Sequence, residues 1–180
     1  MNTDSEVAEI YGDLDIPNDG TKWYAIYTKP HHEKKVARSC LDYGISYYLP
    51  LQDSIRHYKN RVVIFKKPLF SGYIFCRCNV EGKRRLYQTG HICKFIDALD
   101  QMQFVKELQQ IYGIKEQGTR IFPHSYLQRG RRARVIKGPF KNFEGKISHR
   151  KGKYKLVLNI DLIRQAVAVE IDARDIVLLD

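Results

Sequence analysis

Cysteine is scarce in this chain of 180 residues, and its four cysteines show no Cys-x-x-Cys spacing of the kind found in zinc or redox sites. Each lies in an apolar segment, so we interpret Cys40, Cys76, Cys78 and Cys93 as small core residues of a protein in a reducing cytosol. We therefore expect no metal site and no cofactor. The chain also lacks an apolar run long enough to span a bilayer and a signal peptide, which predicts a cytoplasmic protein without a membrane partner.

Lysine and arginine are absent from the first 21 residues, which carry six acidic side chains. The whole chain has a formal net charge of +11, so residues 22–180 carry a formal charge of +17. Such an excess favours polyanionic partners, with nucleic acid ahead of acidic membrane. We predict that residues 1–21 form an acidic, mostly disordered tail, which screens the basic remainder of the chain until a polyanion displaces it.

Residues 22–113 contain both strand and helix patterns. Lys22–Thr28 alternates as a strand, and apolar residues at helical spacing follow it as far as Gly44. The sequence pattern predicts an extended hairpin arm, with one strand over residues 52–60 and the other over residues 61–67. A second amphipathic helix is expected to begin after Asp100 and to end at Gly113. The economical architecture is an α+β fold in which helices pack on an antiparallel sheet.

The segment KPLFSGYIFCRC, residues 67–78, holds a predicted strand break at Pro68 and a flexible hinge at Ser71-Gly72, and a predicted strand follows the hinge. Alternation places Ile74, Cys76 and Cys78 on one face of that strand, where small apolar side chains suit a core. Tyr73, Phe75 and Arg77 occupy the other face. That mixture is typical of protein-docking surfaces, but the pattern alone allows both faces to be core.

The last third of the chain changes character. Residues 114–129 lose periodicity and are predicted to be a flexible linker. Five short β patterns in residues 130–180, separated by glycine-containing turns, predict a small β-barrel. Phe140 and Phe143 in the loop GPFKNFEG either plug the end of this barrel or form a partner contact, and the pattern favours plugging.

Three motifs in this order resemble the NusG family of transcription elongation factors. They are KWYAIYTKP followed by a helix, PLFSGYIF, and ARVIKGPFKNFEGKI followed by YKLVLNI and AVAVEID. The resemblance covers residues 22–180. It implies an N-terminal NGN domain over residues 22–113 and a KOW barrel, an SH3-like fold, over residues 130–180. The family motif usually has proline at the position of Ser71.

In that family the NGN domain receives the clamp helices of RNA polymerase in an aromatic concavity. The resemblance assigns five residues to this polymerase-binding surface: Tyr27, Phe70, Tyr73, Phe75 and Phe95. It implies a processivity clamp that bridges the DNA channel and suppresses pausing and termination. The chain would then be a binding protein rather than an enzyme.

Specialised paralogues such as RfaH and the UpxY proteins also contact the non-template DNA strand from the start of the first helix. Lys29, His32 and Lys35 occupy the matching positions, and their side chains suit phosphates and unstacked bases. The hairpin arm, Ser71 and the acidic tail resemble the UpxY side of the family, which implies action at specific operons such as polysaccharide biosynthesis loci. In the KOW domain, Phe140 and Phe143 match the surface by which NusG binds ribosomal protein S10 or Rho.

Three other functions stay open at this point. A housekeeping NusG would share the same folds, and a ribosome-associated KOW protein that binds RNA would share the basic charge. The latter would have no need of an aromatic cavity for a helix pair. An enzyme that uses Cys76 or Cys93 with a histidine is the third alternative, although neither cysteine lies in an activating motif.

Overall fold

The computed structural model describes residues 7–59, 61–150 and 152–179, and it divides into two compact units, one ending at Gln101 and one beginning at Met102. The described helices are α1 (Glu33–Asp42), α2 (Val80–Gln88) and α3 (Gln101–Glu116). The strands of the first unit are β1 (Ile10–Tyr11), β2 (Lys22–Thr28), β3 (Ser46–Tyr48), β4 (Leu51–Tyr58), β5 (Arg61–Pro68), β6 (Tyr73–Cys78) and β7 (Ile92–Asp97). The second unit has β8 (Phe122–His124), β9 (Arg132–Val135), β10 (Glu144–Arg150), β11 (Lys153–Ile160), β12 (Gln165–Ile171) and β13 (Ile176–Leu179). The predicted α+β class is confirmed.

The first unit is built on a five-stranded antiparallel sheet with the strand order β1-β3-β6-β2-β7. Helices α1 and α2 pack on one face of it, because their apolar residues recur at helical spacing and face Ile26 and Ile74 on the central strands. The alternation predicted for residues 73–78 is confirmed on this face, since Ile74, Cys76 and Cys78 all belong to the core beneath the helices. The sheet therefore presents the other residues of β6 on its opposite face.

Strands β4 and β5 form a separate two-stranded sheet, the predicted hairpin arm. Ile55 pairs with Ile64 across the arm, and the salt bridge between Lys66 Nζ and Asp53 Oδ1, at 2.8 Å, lies on the same face. Ile55, Val62 and Ile64 are 57%, 58% and 64% exposed. The arm thus carries an open row of β-branched side chains beside a largely basic sequence.

The prediction of a disordered acidic tail is wrong for residues 7–21, and residues 1–6 lie outside the described part of the chain. Strand β1 pairs with β3, the backbone oxygen of Asp15 accepts a hydrogen bond from Trp23 Nε1 at 3.0 Å, and Leu14 is buried. Asp19 forms a 2.7 Å ion pair with Arg77. Hydrogen bonds from Thr21, and from the Arg77 guanidinium, lower the pKa of Asp19 to about 2. The acidic composition of residues 7–21 did not predict that they are ordered, because their few apolar residues pack against the edge of a sheet that the rest of the chain forms.

The predicted linker over residues 114–129 also differs from the structure. Helix α3 continues through Gly113 to Glu116, and β8 pairs with β12. A Cβ built on Gly113 would lie 2.9 Å from Cζ of Phe143, so this glycine permits a close ring contact rather than ending the helix. The backbone N–H of Glu144 donates to Gln110 Oε1 at 2.7 Å, which explains why α3 groups with the second unit rather than with residues 22–101.

The second unit is a six-stranded antiparallel sheet with the order β13-β9-β10-β11-β12-β8. Its last five strands in sequence are those that the β patterns predicted, and β8 is the addition. Leu156 and Val169 pair on one face, whereas Val157 and Ala168 pair on the other. All four are buried, because Leu127 covers the Val157 face. The middle of strand β11 is therefore buried on both faces of the sheet.

Candidate functional site

Tyr27 and Tyr73 form an aromatic pair at one end of the sheet of the first unit. They are direct cross-strand neighbours on β2 and β6, and their ring centroids are 5.3 Å apart. Tyr27 is 42% exposed and Tyr73 is half-buried. Burial, with a smaller contribution from Tyr27, raises the pKa of Tyr73. Two adjacent rings that keep open area at the end of a rigid sheet offer an apolar contact with a polar tip.

Gly72 joins this aromatic pair to helix α1. Its φ of +83° is one that glycine adopts at little cost, and a Cβ on it would lie 3.2 Å from Cε2 of Tyr27. The Gly72 N–H donates to Oε1 of the buried Glu33 at 2.6 Å, and its carbonyl accepts from Thr28 N at 2.9 Å. Glu33 lies in the first turn of α1. The turn after Phe70 is thereby fixed to two elements at once.

The predicted DNA-binding residues lie on the other side of the same junction. Lys29 and Lys35 are exposed, and Lys35 Nζ is 3.4 Å from His32 Nε2. The His32 ring packs edge-on against His91, with centroids 4.9 Å apart, and the backbone of Lys29 donates to His91 O at 2.9 Å. The structure therefore brings Lys29, His32 and Lys35 together with His91 at the start of α1, where backbone N–H groups also favour anions.

The pKa of the His32 imidazole is lowered, which favours its neutral form. Burial is the largest cause of its lowered pKa, and the charges of Lys35, His91 and Lys29 lower the pKa further, whereas Glu33 raises it. Its Nδ1 is buried without a hydrogen-bond partner. A neutral ring beside two exposed lysines can accept a hydrogen bond and stack, while the lysines supply the positive charge for phosphates.

We expect the stability of the first unit to fall as the pH drops through this lowered pKa. The unfolded chain has the ordinary histidine pKa of 6.5 and so binds the proton first, which favours unfolding below about pH 6.5. Urea unfolding of the wild type and of His32→Gln between about pH 8 and about pH 5 measures this contribution. The variant should lose part of the pH dependence, whereas His149→Gln, at an exposed position, should keep it. Parallel curves for the wild type and His32→Gln would contradict the assignment.

Phe70 and Phe75 lie on the Tyr27 side of the sheet but are buried at 2% and 0% exposure. Their rings pack edge-to-face with centroids 6.0 Å apart, and Phe75 also lies 6.4 Å from the Tyr48 ring. Arg77, the third residue on that face of β6, is occupied by Asp19 and Thr21. The open part of the predicted polymerase-binding surface is therefore its Tyr27–Tyr73 end, and the two buried phenylalanines lie on the same side of the sheet.

Phe95 does not share a face with the other four predicted residues, and this placement is a correction. It is the cross-strand neighbour of Ile26, so it points toward the helices rather than toward Tyr27. It packs against Tyr24 and Tyr87, with centroids 5.6 Å and 4.9 Å away. Neighbouring residues of a strand face opposite sides of the sheet, so the sequence match alone did not fix the face on which Phe95 lies.

Phe140 and Phe143, the predicted KOW partner-binding residues, pack on each other with centroids 5.9 Å apart. Phe140 is buried at 8% exposure, and the half-buried Phe143 ring covers Gly113 of α3. Of the two sequence interpretations, the structure agrees with packing at the end of the sheet. Partner binding by these two rings stays a prediction.

The cysteines follow the core prediction with one exception. Cys40, Cys76 and Cys78 are buried, and Cys93 is exposed on β7. Burial raises the pKa of Cys76 well above its ordinary value, which argues against a nucleophilic role for this thiol. Within the described ranges, no cluster of three or more His, Cys, Asp or Glu is arranged to hold a metal ion. In the same part of the chain no helix has both the length and the apolar character needed to cross a bilayer.

Comparison with known proteins gives the family. The model of the family described as "Transcription termination factor nusG" matches residues 21–124, more than half of the chain. The match includes both the Tyr27–Tyr73 pair and the start of α1. The chain belongs to the NusG family.

Relatives of this NusG-family chain are distant in sequence. The transcription termination/antitermination protein NusG of Helicobacter pylori is 23% identical over 168 residues, which cover 83% of this chain and 93% of that protein. The structure described as "Domain interaction in Thermotoga maritima NusG" is 19% identical, with a TM-score of 0.47 and 89% and 98% of the two chains covered. The MjSpt4:Spt5 complex is 14% identical, with a TM-score of 0.28 and coverages of 88% and 97%. Neither overlay is close enough to carry residue roles across.

Sequence reasoning missed the residues that hold the candidate site together. Glu33 follows two histidines and resembles an ordinary first-turn acid, and His91 resembles a loop residue. Only the packing of α1 against the turn after Phe70 shows that Glu33 is buried and bound to Gly72. No periodic signal in the sequence marks either residue.

Proposed function

We propose that this NusG-family transcription factor is an elongation factor that binds the clamp helices of RNA polymerase through the Tyr27–Tyr73 end of its first unit. The supporting observation is the junction at Gly72, where the open aromatic pair and the basic start of α1 meet. An apolar contact for a helix pair and a cationic contact for a nucleic-acid strand would thus be held in fixed register. Bound in this way, the protein would disfavour opening of the clamp and so reduce pausing and termination.

In this proposal residues 22–101 provide the NGN-like, polymerase-binding part, and the second unit provides the KOW part. Lys29, His32 and Lys35 contact the exposed non-template strand, with the two lysines on phosphates and His32 on an unstacked base. The resemblance of the hairpin arm and Ser71 to UpxY proteins supports action at specific operons, such as polysaccharide biosynthesis loci. Ribosomal protein S10 or Rho is the proposed partner of the loop that carries Phe140 and Phe143.

The test is co-precipitation of the cognate RNA polymerase with the full chain and with Tyr27→Ala/Tyr73→Leu. We expect the double variant to lose about tenfold or more in affinity, because two aromatic anchors at one contact each contribute on the order of 1–2 kcal/mol. Tyr43→Ala is the matched control, since Tyr43 is 43% exposed and Tyr27 is 42% exposed. Equal binding by all three proteins would refute the docking surface. Binding of the wild type to ribosomes but not to polymerase would support the ribosome-associated alternative instead.

The DNA contact is tested separately on the assembled complex. Lys29→Gln/Lys35→Gln should weaken cross-linking to the non-template strand while polymerase binding is retained, because the charges contact phosphate and not the clamp. Lys22→Gln, at the exposed opposite end of β2, is the control for simple loss of charge. An equal loss of cross-linking in the control would remove the assignment of α1 to the DNA strand.

A further inference from the structure

The sheet face that carries Tyr27 and Tyr73 extends beyond its open end. Three cross-strand pairs of β2 and β6 lie on this face: Trp23 with Arg77, Ala25 with Phe75, and Tyr27 with Tyr73. Trp23 belongs to the last pair of the row and is nevertheless fully buried, and the Arg77 side chain is 20% exposed. Tryptophan and arginine are enriched among the residues that contribute most to protein interfaces. The Trp23–Arg77 end therefore has side chains suited to docking, but it is covered.

Residues 12–20, which we name the cover segment, lie over the Trp23–Arg77 end. The backbone oxygen of Asp15 accepts a hydrogen bond from Trp23 Nε1 at 3.0 Å. The carboxylate of Asp19 accepts a hydrogen bond from the Arg77 guanidinium at 2.7 Å. The indole and the guanidinium both project from the Tyr27 face of the sheet, so the groups that bind them lie on that face. The cover segment thus occupies one end of the proposed docking face.

Little of the cover segment is buried. Residues 13–18 form no helix or strand, seven of the nine residues of the segment are exposed, and Leu14 is its one buried side chain. Gly12 and Gly20 stand at its two ends with φ of +80° and +79°, a conformation that glycine adopts at little cost. A small buried area between two permissive backbone positions is typical of segments that open locally while the rest of the protein stays folded.

The cover segment is also incompletely packed against the first unit. A cavity of about 470 Å³ is lined by Asp13 and Asp19 of the segment and by Ser46, Arg77 and Arg85 of β3, β6 and α2. A permanent part of a protein core would fill such a space with side chains. The segment instead presents three carboxylates and no cation, which matches the positive charge of Arg77 without closing the surface around it.

We propose that the cover segment is displaced when the protein docks on RNA polymerase, so that Trp23 and Arg77 join Tyr27 and Tyr73 in one contact with the clamp helices. The inference rests on the proposed function, which supplies a helix pair as the partner. A helix that carries a carboxylate and an apolar side chain replaces both contacts of the segment. Its carboxylate takes the place of Asp19 on Arg77, and its apolar side chain packs on the Trp23 ring.

The test measures the affinity of the full chain for the cognate RNA polymerase after either partner of the Asp19–Arg77 ion pair is removed. Asp19→Asn should raise the affinity by about threefold or more, because a larger fraction of the molecules then has the face open. Arg77→Gln breaks the same ion pair but also removes a docking side chain, so it should lower the affinity by about fivefold or more. An ion pair that only held the fold would give the same change in both variants.

Leu14→Ser releases the cover segment without a change in charge, and it should also raise the affinity by about threefold or more. Urea unfolding followed by Trp23 fluorescence shows whether this variant is folded, and Asp19→Asn remains informative if it is not. Asp172→Asn and Arg174→Gln are the matched controls, because these two residues form an ion pair of the same 2.7 Å length in the second unit. Each control should change the affinity by less than about twofold.

Changes in the same direction in Asp19→Asn and Arg77→Gln would overturn the inference, as would no gain of affinity in either Asp19→Asn or a folded Leu14→Ser. Opposite changes of equal size in the two controls would overturn it in favour of general charge attraction. Tyr27→Ala/Tyr73→Leu separates the inference from the proposed function. If this variant binds polymerase as the wild type does, the docking surface itself is refuted. If it loses binding while both ion-pair variants change alike, only the role of the cover segment is refuted.

Discussion

Replacement of Phe75 by alanine should lower the free energy of unfolding of the first unit by about 3–5 kcal/mol. The side chain is fully buried, and it packs edge-to-face on Phe70 and beside Tyr48. Alanine would leave a cavity beside the Phe70 and Tyr48 rings, on the Tyr27 side of the sheet, that strands β2 and β6 cannot close without losing register. This is among the largest single-residue effects that we expect in the chain.

The single tryptophan makes this prediction measurable in the first unit alone. Trp23 is fully buried on β2, so its fluorescence during urea unfolding reports on the sheet that contains Phe75. Phe75→Leu is the matched variant, and it should cost less than about 1.5 kcal/mol because it keeps most of the apolar volume. Wild-type stability in Phe75→Ala together with lost polymerase binding would show that Phe75 is a docking residue instead of a core residue.

The burial of Phe75 decides which substitutions can test the proposed docking surface. Sequence alternation correctly placed Phe75 and Tyr73 on one face of β6, because a strand turns each successive side chain over. It could not decide which of them is open, because burial depends on what the rest of the chain lays over that face. Substitution of Tyr27 and Tyr73 therefore tests the proposed binding, whereas substitution of the buried Phe75 tests folding.

The same distinction explains the other differences between sequence and structure. Strand β2 was predicted to the residue, since its alternation and its bounding turns are local signals. The order of residues 7–21 was not predicted, because it depends on Arg77 and on the edge of β3, both distant along the chain, as well as on the nearby Trp23. Helix α3 passes through Gly113 because Phe143, thirty residues later, packs on the glycine. Local sequence patterns predict where strands and helices form. Contacts with residues distant in sequence determine whether a segment is ordered, where a helix ends and which side chains are exposed.

Loss of the Glu33 carboxylate should weaken both proposed contacts of the first unit together. Glu33 is 4% exposed, and its Oε1 holds the backbone N–H of Gly72 at 2.6 Å. Glu33→Ala leaves that N–H without its charged acceptor, at a cost of about 1.5–3 kcal/mol in the free energy of unfolding. The turn that carries Gly72 borders Tyr27 on one side and the start of α1 on the other. Both surfaces should therefore lose their fixed geometry.

The measurement combines three readouts on the same variants: Trp23 fluorescence in urea, polymerase co-precipitation and cross-linking to the non-template strand. In Glu33→Ala we expect the two binding readouts to fall by about tenfold each if about 1.4 kcal/mol is needed to re-form the turn. Glu33→Gln keeps an oxygen acceptor at the same place and should retain most of the binding.

Glu81→Ala is the matched control, since Glu81 also lies in the first turn of a helix but is exposed and pairs with Arg84 and Arg85. Its removal should change stability and both binding readouts little, because exposed ion pairs contribute little. If Glu33→Ala behaves like Glu81→Ala, the junction at Gly72 does not couple the two surfaces, and each must then be held by its own strand or helix.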